Sequence, residues 1–168
     1  LIPEGETLFL NYTIQVEDAQ KVIDNKVITV SILGTNDALV IFLESGDSAE
    51  GTIVNNLNPI ISGTLSVFDF DKVKTLTAEV AGVKLFNVVG ASATEIDVTN
   101  LDLKSMLQIR GTFSDKSEYH NLTWKFVGDA SKADGLVSGA SYTLSYDIAI
   151  SDIETLTSHQ TVNIHFQL

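Results

Sequence analysis

Thr7-Leu-Phe-Leu-Asn-Tyr-Thr-Ile-Gln-Val-Glu17 is the stretch that decides the fold class. Leu8, Leu10, Tyr12, Ile14 and Val16 share one parity; Asn11, Thr13, Gln15 and Glu17 share the other, with Phe9 the one apolar intruder among them. A period of two is the mark of a strand with one face buried. After a polar connection, residues 26–33 alternate again with Ile28, Val30 and Ile32 on the inner parity, which completes an antiparallel hairpin. The pattern then returns. At an offset of 134 residues, Gly5, Leu10, Tyr12, Ile14 and Asp18 fall on Gly139, Leu144, Tyr146, Ile148 and Asp152, and Ile28, Val30 and Ile32 fall on Val162, Ile164 and Phe166. Self-similarity at a fixed period reads as a tandem array, with residues 1–37 the closing hairpin of one unit plus a junction and residues 38–168 a nearly complete second unit. A lone hairpin is marginal in water, so residues 1–33 are expected to pack on the full unit or, by strand exchange, on another copy in a homo-oligomer.

The junction is Gly34-Thr-Asn-Asp37, residue types that break strands and favour turns. Beyond it, residues 39–43 read as a short buried strand, 45–58 as a loop containing Glu50, and 63–70 as a strand running out into Asp69-Phe-Asp71. Residues 75–80 and 83–89 read as a hairpin about Ala81-Gly82, and 90–95 as a loop of small residues. Thr99 with Asp102 at the third helical position forms a capping-box pattern, and Leu103, Met106 and Leu107 supply an apolar stripe, which predicts one helix of about two turns. Residues 107–113 and 122–127 are expected strands, 128–139 is turn-rich, and 140–151 with 159–167 repeats the first hairpin. Short strands, regular turns and one short helix indicate an all-β, antiparallel β-sandwich.

Composition narrows the function. With 168 residues, 44% of them hydrophobic and 19% charged, the chain can bury a core. A formal charge of −12, from 22 acidic and 10 basic residues, argues against nucleic-acid binding, which needs basic patches to displace counterions. Cysteine is absent, which removes disulfides, thiolate metal sites and a cysteine nucleophile. The longest purely apolar run, Ala38 to Leu43, is far too short for membrane insertion.

No constellation for catalysis stands out. His120, His159 and His165 share no metal-ligand spacing, no serine sits in a nucleophile elbow, and no glycine-rich loop leads into a helix. The expectation is a non-enzyme. Trp124 shares the parity of Leu122 and Phe126 and reads as core, whereas Tyr119 beside His120 lies in a polar loop where it could touch a ligand. The carboxylates at strand ends are more specific. Asp69 and Asp71 stand two apart where a strand runs out, Asp37 lies at the junction and Glu50 in the following loop. Calcium takes six to eight hard oxygens, and such loop ends can supply them.

Glu4-Gly-Glu-Thr-Leu8, Tyr12-Thr-Ile14, Asp18, Gly34-Thr-Asn-Asp37, Gly63-Thr-Leu-Ser-Val-Phe-Asp-Phe-Asp71, Thr75-Leu-Thr77 and Leu122-Thr-Trp-Lys-Phe126 together resemble the VCBS repeat, a cadherin-like module found in tandem in large bacterial surface adhesins and biofilm proteins. The resemblance spans nearly the whole chain and keeps the order of the repeat. It implies an antiparallel immunoglobulin/cadherin-like β-sandwich, secretion to the bacterial cell surface, and a structural or adhesive role, with neighbouring repeats as partners and calcium near the junctions. Asp69 and Asp71 match the family's Asp-x-Asp, Asp37 its Asn-Asp junction, and Glu50 the glutamate after its first strand. Where the family continues with glycine and another acid, this chain has Lys72-Val-Lys74. The alternative reading is a carbohydrate-binding module of the same surface protein, with polysaccharide as its ligand.

Overall fold

The computed structural model describes residues 1–54, 59–71, 75–98, 101–109, 112–114, 119–132, 136–153 and 156–167, with the side chains at 112, 114 and 130 left out. The chain divides into two compact units. The first comprises Leu1–Asp37 with Phe70–Lys72, and the second Ala38–Asp69 with Val73–Leu168.

The first unit is one hairpin and its base. Strands β1 (Thr7–Glu17) and β2 (Ile23–Leu33) pair antiparallel along their full lengths, from Thr7 opposite Leu33 to Glu17 opposite Ile23. At the tip, Asp18 accepts the backbone N–H groups of Gln20 and Val22 on one carboxylate oxygen, at 2.8 and 2.9 Å. At the base, the Gly34 N–H donates to the Glu6 carbonyl at 2.8 Å. A Cβ on Gly34 would stand 2.1 Å from the Pro3 carbonyl oxygen, so only glycine fits there. The inner-parity side chains of Leu8, Tyr12, Ile14, Val16, Ile28, Val30 and Ile32 are all exposed, and only Leu10 is half-buried. Among the described residues of that unit, no side chain covers the face.

The second unit is an all-β sandwich. Strands β3 (Val40–Phe42), β5 (Ile60–Phe68), β10 (Leu122–Val127) and β8 (Leu107–Ile109) form a four-stranded sheet in the order β3-β5-β10-β8. The other sheet has six strands. Its order is β4 (Glu50–Val54), β12 (Thr157–Gln167), β11 (Ser141–Ser151), β6 (Thr75–Val89) and β7 (Ser92–Ile96), and β9 (Thr112–Ser114) pairs with β6. One core lies between them. Leu65 and Val67 of β5 and Leu122, Trp124 and Phe126 of β10 meet Leu144, Tyr146 and Ile148 of β11 and Val162 and Ile164 of β12. Phe126 and Tyr146 cross edge-to-face with ring centroids 6.2 Å apart. Trp124 is core as its parity predicts, its indole N–H donating to the Ser48 carbonyl at 2.7 Å. Gly63 lies opposite it because a Cβ there would come within 2.5 Å of the indole ring.

The closing hairpin forms as the alternation predicts, Ser141 pairing with Gln167 and Ser151 with Thr157. Its geometry reproduces the first hairpin residue for residue at the 134-residue offset: equal strand lengths, equal register, and Gly5 and Gly139 at φ 72 and 82. The tips also agree. Asp152 accepts the Leu156 N–H at 3.1 Å where Asp18 accepts that of Val22.

Several local expectations are corrected. Residues 75–89 are one strand: Ala81-Gly82 is a bulge opposite the Asp147/Ile148 step, because an extra residue and a glycine bend a strand without reversing it. The reversal comes at Gly90 (φ 61), so the expected small-residue loop is mostly strand β7. Residues 50–54, taken as loop, form β4 and pair in parallel with β12. The stretch 107–113 is two strands in different sheets, since β8 pairs β10 and β9 pairs β6. The two-turn helix is a single 3-10 turn, Lys104–Met106. Its stripe is buried as expected, with Leu103, Met106 and Leu107 at most 8% exposed, but Leu107 already belongs to a strand. Asp102 accepts from Ser105 Oγ at 2.9 Å and Lys132 Nζ at 2.7 Å, and the N-cap position Thr99 lies outside the described residues.

Ile148 has no exposed surface and sits at the centre of β11. Truncation to alanine is expected to cost about 2–5 kcal/mol in a urea melt, through lost transfer free energy and the cavity left behind. A loss below about 1 kcal/mol would contradict the packing described.

Candidate functional site

The four carboxylates expected to hold calcium divide between the units. In the first, the Asp71 carboxylate accepts two backbone N–H groups, Glu4 on Oδ1 at 2.7 Å and Asp37 on Oδ2 at 2.8 Å. The structure thus brings Asp71 and Asp37 together, through the backbone of the latter, and ties the lead-in to β1 to the segment leaving β2. In the second unit, Asp69 follows the end of β5 and is 2% exposed. Glu50, expected in a loop, opens β4 opposite Asn163 and is exposed. Among the described residues, no group of three or more His, Asp or Glu side chains is placed to hold a metal ion. Lys72 and Lys74 lie outside the described residues.

A different polar centre organises the second unit. Asp47, in the loop between β3 and β4, has a side chain with no exposed surface. It accepts from Thr64 Oγ1 and Ser66 Oγ, each at 2.6 Å, and from the Glu44 N–H at 3.0 Å. His120 Nδ1 lies 2.6 Å from its Oδ1. His120 itself stands at φ 59, its N–H donating to Ser66 Oγ at 3.0 Å, while Asn121 both donates to and accepts from the Val67 backbone. Beside this knot, the exposed Tyr119 ring meets Phe42 edge-to-face at 6.1 Å and His120 at 6.5 Å. Burial would raise the Asp47 pKa, but the hydrogen bonds from Ser66, Thr64, His120 and the Glu44 N–H outweigh it and bring it down to about 2. Two hydroxyls and a backbone N–H donate to Asp47, so the carboxylate anchors its loop to β5.

Sequence reasoning named Tyr119, beside His120, as a residue that could touch a ligand, and missed Asp47. The signal available was the pair Thr64 and Ser66 on the outer parity of a strand whose inner positions are Leu65 and Val67. The other histidines pair within the closing hairpin, His159 Nδ1 with Asp147 at 2.9 Å and His165 Nδ1 with Thr143 Oγ1 at 2.9 Å. No helix of the described residues is long and apolar enough to cross a membrane.

Because the folded pKa of Asp47 lies below its ordinary value of 3.8, its stabilising contribution is complete above about pH 4 and lost as the pH falls towards about 2. Asp47→Asn is expected to lower stability at pH 7 by about 1–3 kcal/mol in urea melts. The gap between wild type and variant should close between pH 4 and pH 2; a gap independent of pH would contradict the charged anchor.

No protein-family model matches the chain, and a search of curated protein sequences finds no significant match. Among solved structures, the chain is similar to the CooA pilin subunit of enterotoxigenic Escherichia coli, with 11% identity, a TM-score of 0.49, and 79% of this chain and 99% of that one covered. It is also similar to a PapD-like domain of human CEP192, at 9% identity and a TM-score of 0.43, covering 79% of this chain and 85% of that one. A third is AggA, the major subunit of aggregative adherence fimbriae type I from Escherichia coli, at 13% identity and a TM-score of 0.32, covering 80% and 97%.

Proposed function

We propose that the chain is a non-enzymatic structural and adhesive module of a secreted bacterial surface protein, repeated end to end with partners of its own kind. The observation that carries this reading is the hairpin built twice, with the same strand lengths, register and tip at a fixed offset. Repetition of one supersecondary unit is how an extended protein multiplies length without new folds. The polar centres described above serve the same end: Asp18, Asp47, Asp71 and Asp152 each accept backbone N–H groups and hold loops in place. The likeness to VCBS repeats in the quoted motifs agrees with this role.

Calcium belongs to the same proposal. Asp69 and Asp71 are carboxylates at most 8% exposed, and carboxylate oxygens are the hard donors that calcium takes. Asp37, in the same unit as Asp71, would add oxygens. Extracellular modules bind calcium at about 10⁻⁴–10⁻³ M. A bath tenfold above the dissociation constant then stabilises by about 1.4 kcal/mol per site, raising the melting temperature by a few degrees. Thermal melts in millimolar calcium and in chelator are expected to differ by that amount in wild type and to coincide in Asp69→Asn. Coincident curves in both proteins would remove calcium from the reading.

A second reading, a carbohydrate-binding module, is favoured by one observation: Tyr119 is 61% exposed and braced by Phe42 and His120, a posture suited to stacking on a sugar ring. A glycan panel separates the two. A structural module is expected to be silent, whereas polysaccharide binding lost in Tyr119→Ala would favour the second reading.

A further inference from the structure

We infer that the apolar face of the β1–β2 hairpin is a docking surface, and that its partner is a front sheet of the same build as β3-β5-β10-β8, carried by a further domain of this kind. The inference rests on the tandem reading and adds to it the surface and the chemistry of its partner.

Each position on the open face has a counterpart on β11–β12 that the front sheet covers. Leu8 is 44% exposed and its counterpart Tyr142 is 2%; Tyr12 is 55% and Tyr146 is 0%; Ile14 is 45% and Ile148 is 0%; Val30 is 42% and Ile164 is 0%. Backbone register is the same in both hairpins, so these side chains project in the same array. The open apolar area is on the order of 600 Å², at the upper end of what a monomer leaves uncovered. One side of a standard interface buries about 600–1,000 Å², so the face reaches the lower end of that range.

The tyrosine specifies the kind of partner. A buried phenol needs a hydrogen-bond acceptor. In the second unit the Tyr146 hydroxyl donates to the Leu103 carbonyl at 2.9 Å, at the 3-10 turn that the front half places over the sheet. A second copy packed face to face offers only side chains to Tyr12, because the carbonyls of a hairpin lie in the plane of its sheet, towards the partner strand or out along the edge. A sandwich front half with its turn supplies the missing carbonyl, and its apolar inner face matches the rest.

The test duplicates residues 38–134 directly ahead of Leu1 in the full chain, which restores the 134-residue spacing, and follows amide hydrogen exchange. Exchange at 7–17 and 23–33 is expected to slow at least a hundredfold, towards the rates of 141–151 and 157–167. Tyr12→Asp in that longer chain should return it to the original rates and leave 141–167 unchanged. A parallel chain that duplicates 38–168, and so brings its own closing hairpin, is expected to leave residues 7–33 as fast as before. Unchanged exchange in the 38–134 chain, with the added segment folded or not, would overturn the inference. So would closure of the face in the unmodified chain by self-association, read as a mass that rises with concentration and falls with Tyr12→Asp. Either failure leaves the surface-module reading to its own glycan and calcium measurements.

Discussion

Burial of the inner face of β11 is the constraint on which the second unit depends. That strand is paired along its length on both sides, with β12 and with β6, and so forms the spine of the six-stranded sheet. Its inner residues Tyr142, Leu144, Tyr146, Ile148 and Ile150 are all at most 2% exposed. Apolar burial of this kind supplies roughly 1.5–3 kcal/mol per large side chain, so five in a row on one strand require a continuous opposing surface. Trp124 and Phe126 of β10 provide much of it, and Gly63 gives way so that the indole can lie flat. The phenol of Tyr146 adds a directional requirement, which the Leu103 carbonyl meets; burial holds that hydroxyl's pKa well above the usual phenol value.

Four acids of this chain serve as ties. Without cysteine, loops cannot be clamped by disulfides, and a carboxylate that accepts backbone N–H groups is the available substitute. Asp18 and Asp152 close the two hairpin tips, Asp71 joins the two ends of the first hairpin, and Asp47 gathers four donors at once. Part of the net charge of −12 is therefore structural, beyond any effect on solubility.

How much of this was legible in the sequence follows from the range of the interactions. Strands with strict alternation, residues 7–17 and 141–151, are read from their own side chains, and the parity of Tyr146 and Trp124 gave the core correctly. Elements whose identity depends on distant partners were misread. β4 carries Glu, Gly and Thr and becomes a strand only because β12 lies beside it. Ala81-Gly82 looks like a turn locally, and only the continuous pairing with β11 makes it a bulge. The Asp47–His120 contact joins residues 73 apart in sequence, each inside a polar loop with no spacing to suggest the other. Which donors Asp71 holds, the Glu4 and Asp37 N–H groups, depends on three-dimensional closure.

The parallel pairing of β4 with β12 has a consequence in time. Glu50 lies beside Asn163, so the edge of the larger sheet is formed by segments separated by over a hundred residues of chain. Non-local contacts of this kind must close a long loop before they return any stabilisation, which makes folding slow. A chain that emerges N-terminus first cannot finish this sheet until β12 has appeared, and until then the inner faces of β5 and β10 stay open to water. The larger sheet therefore completes only when its last strand arrives.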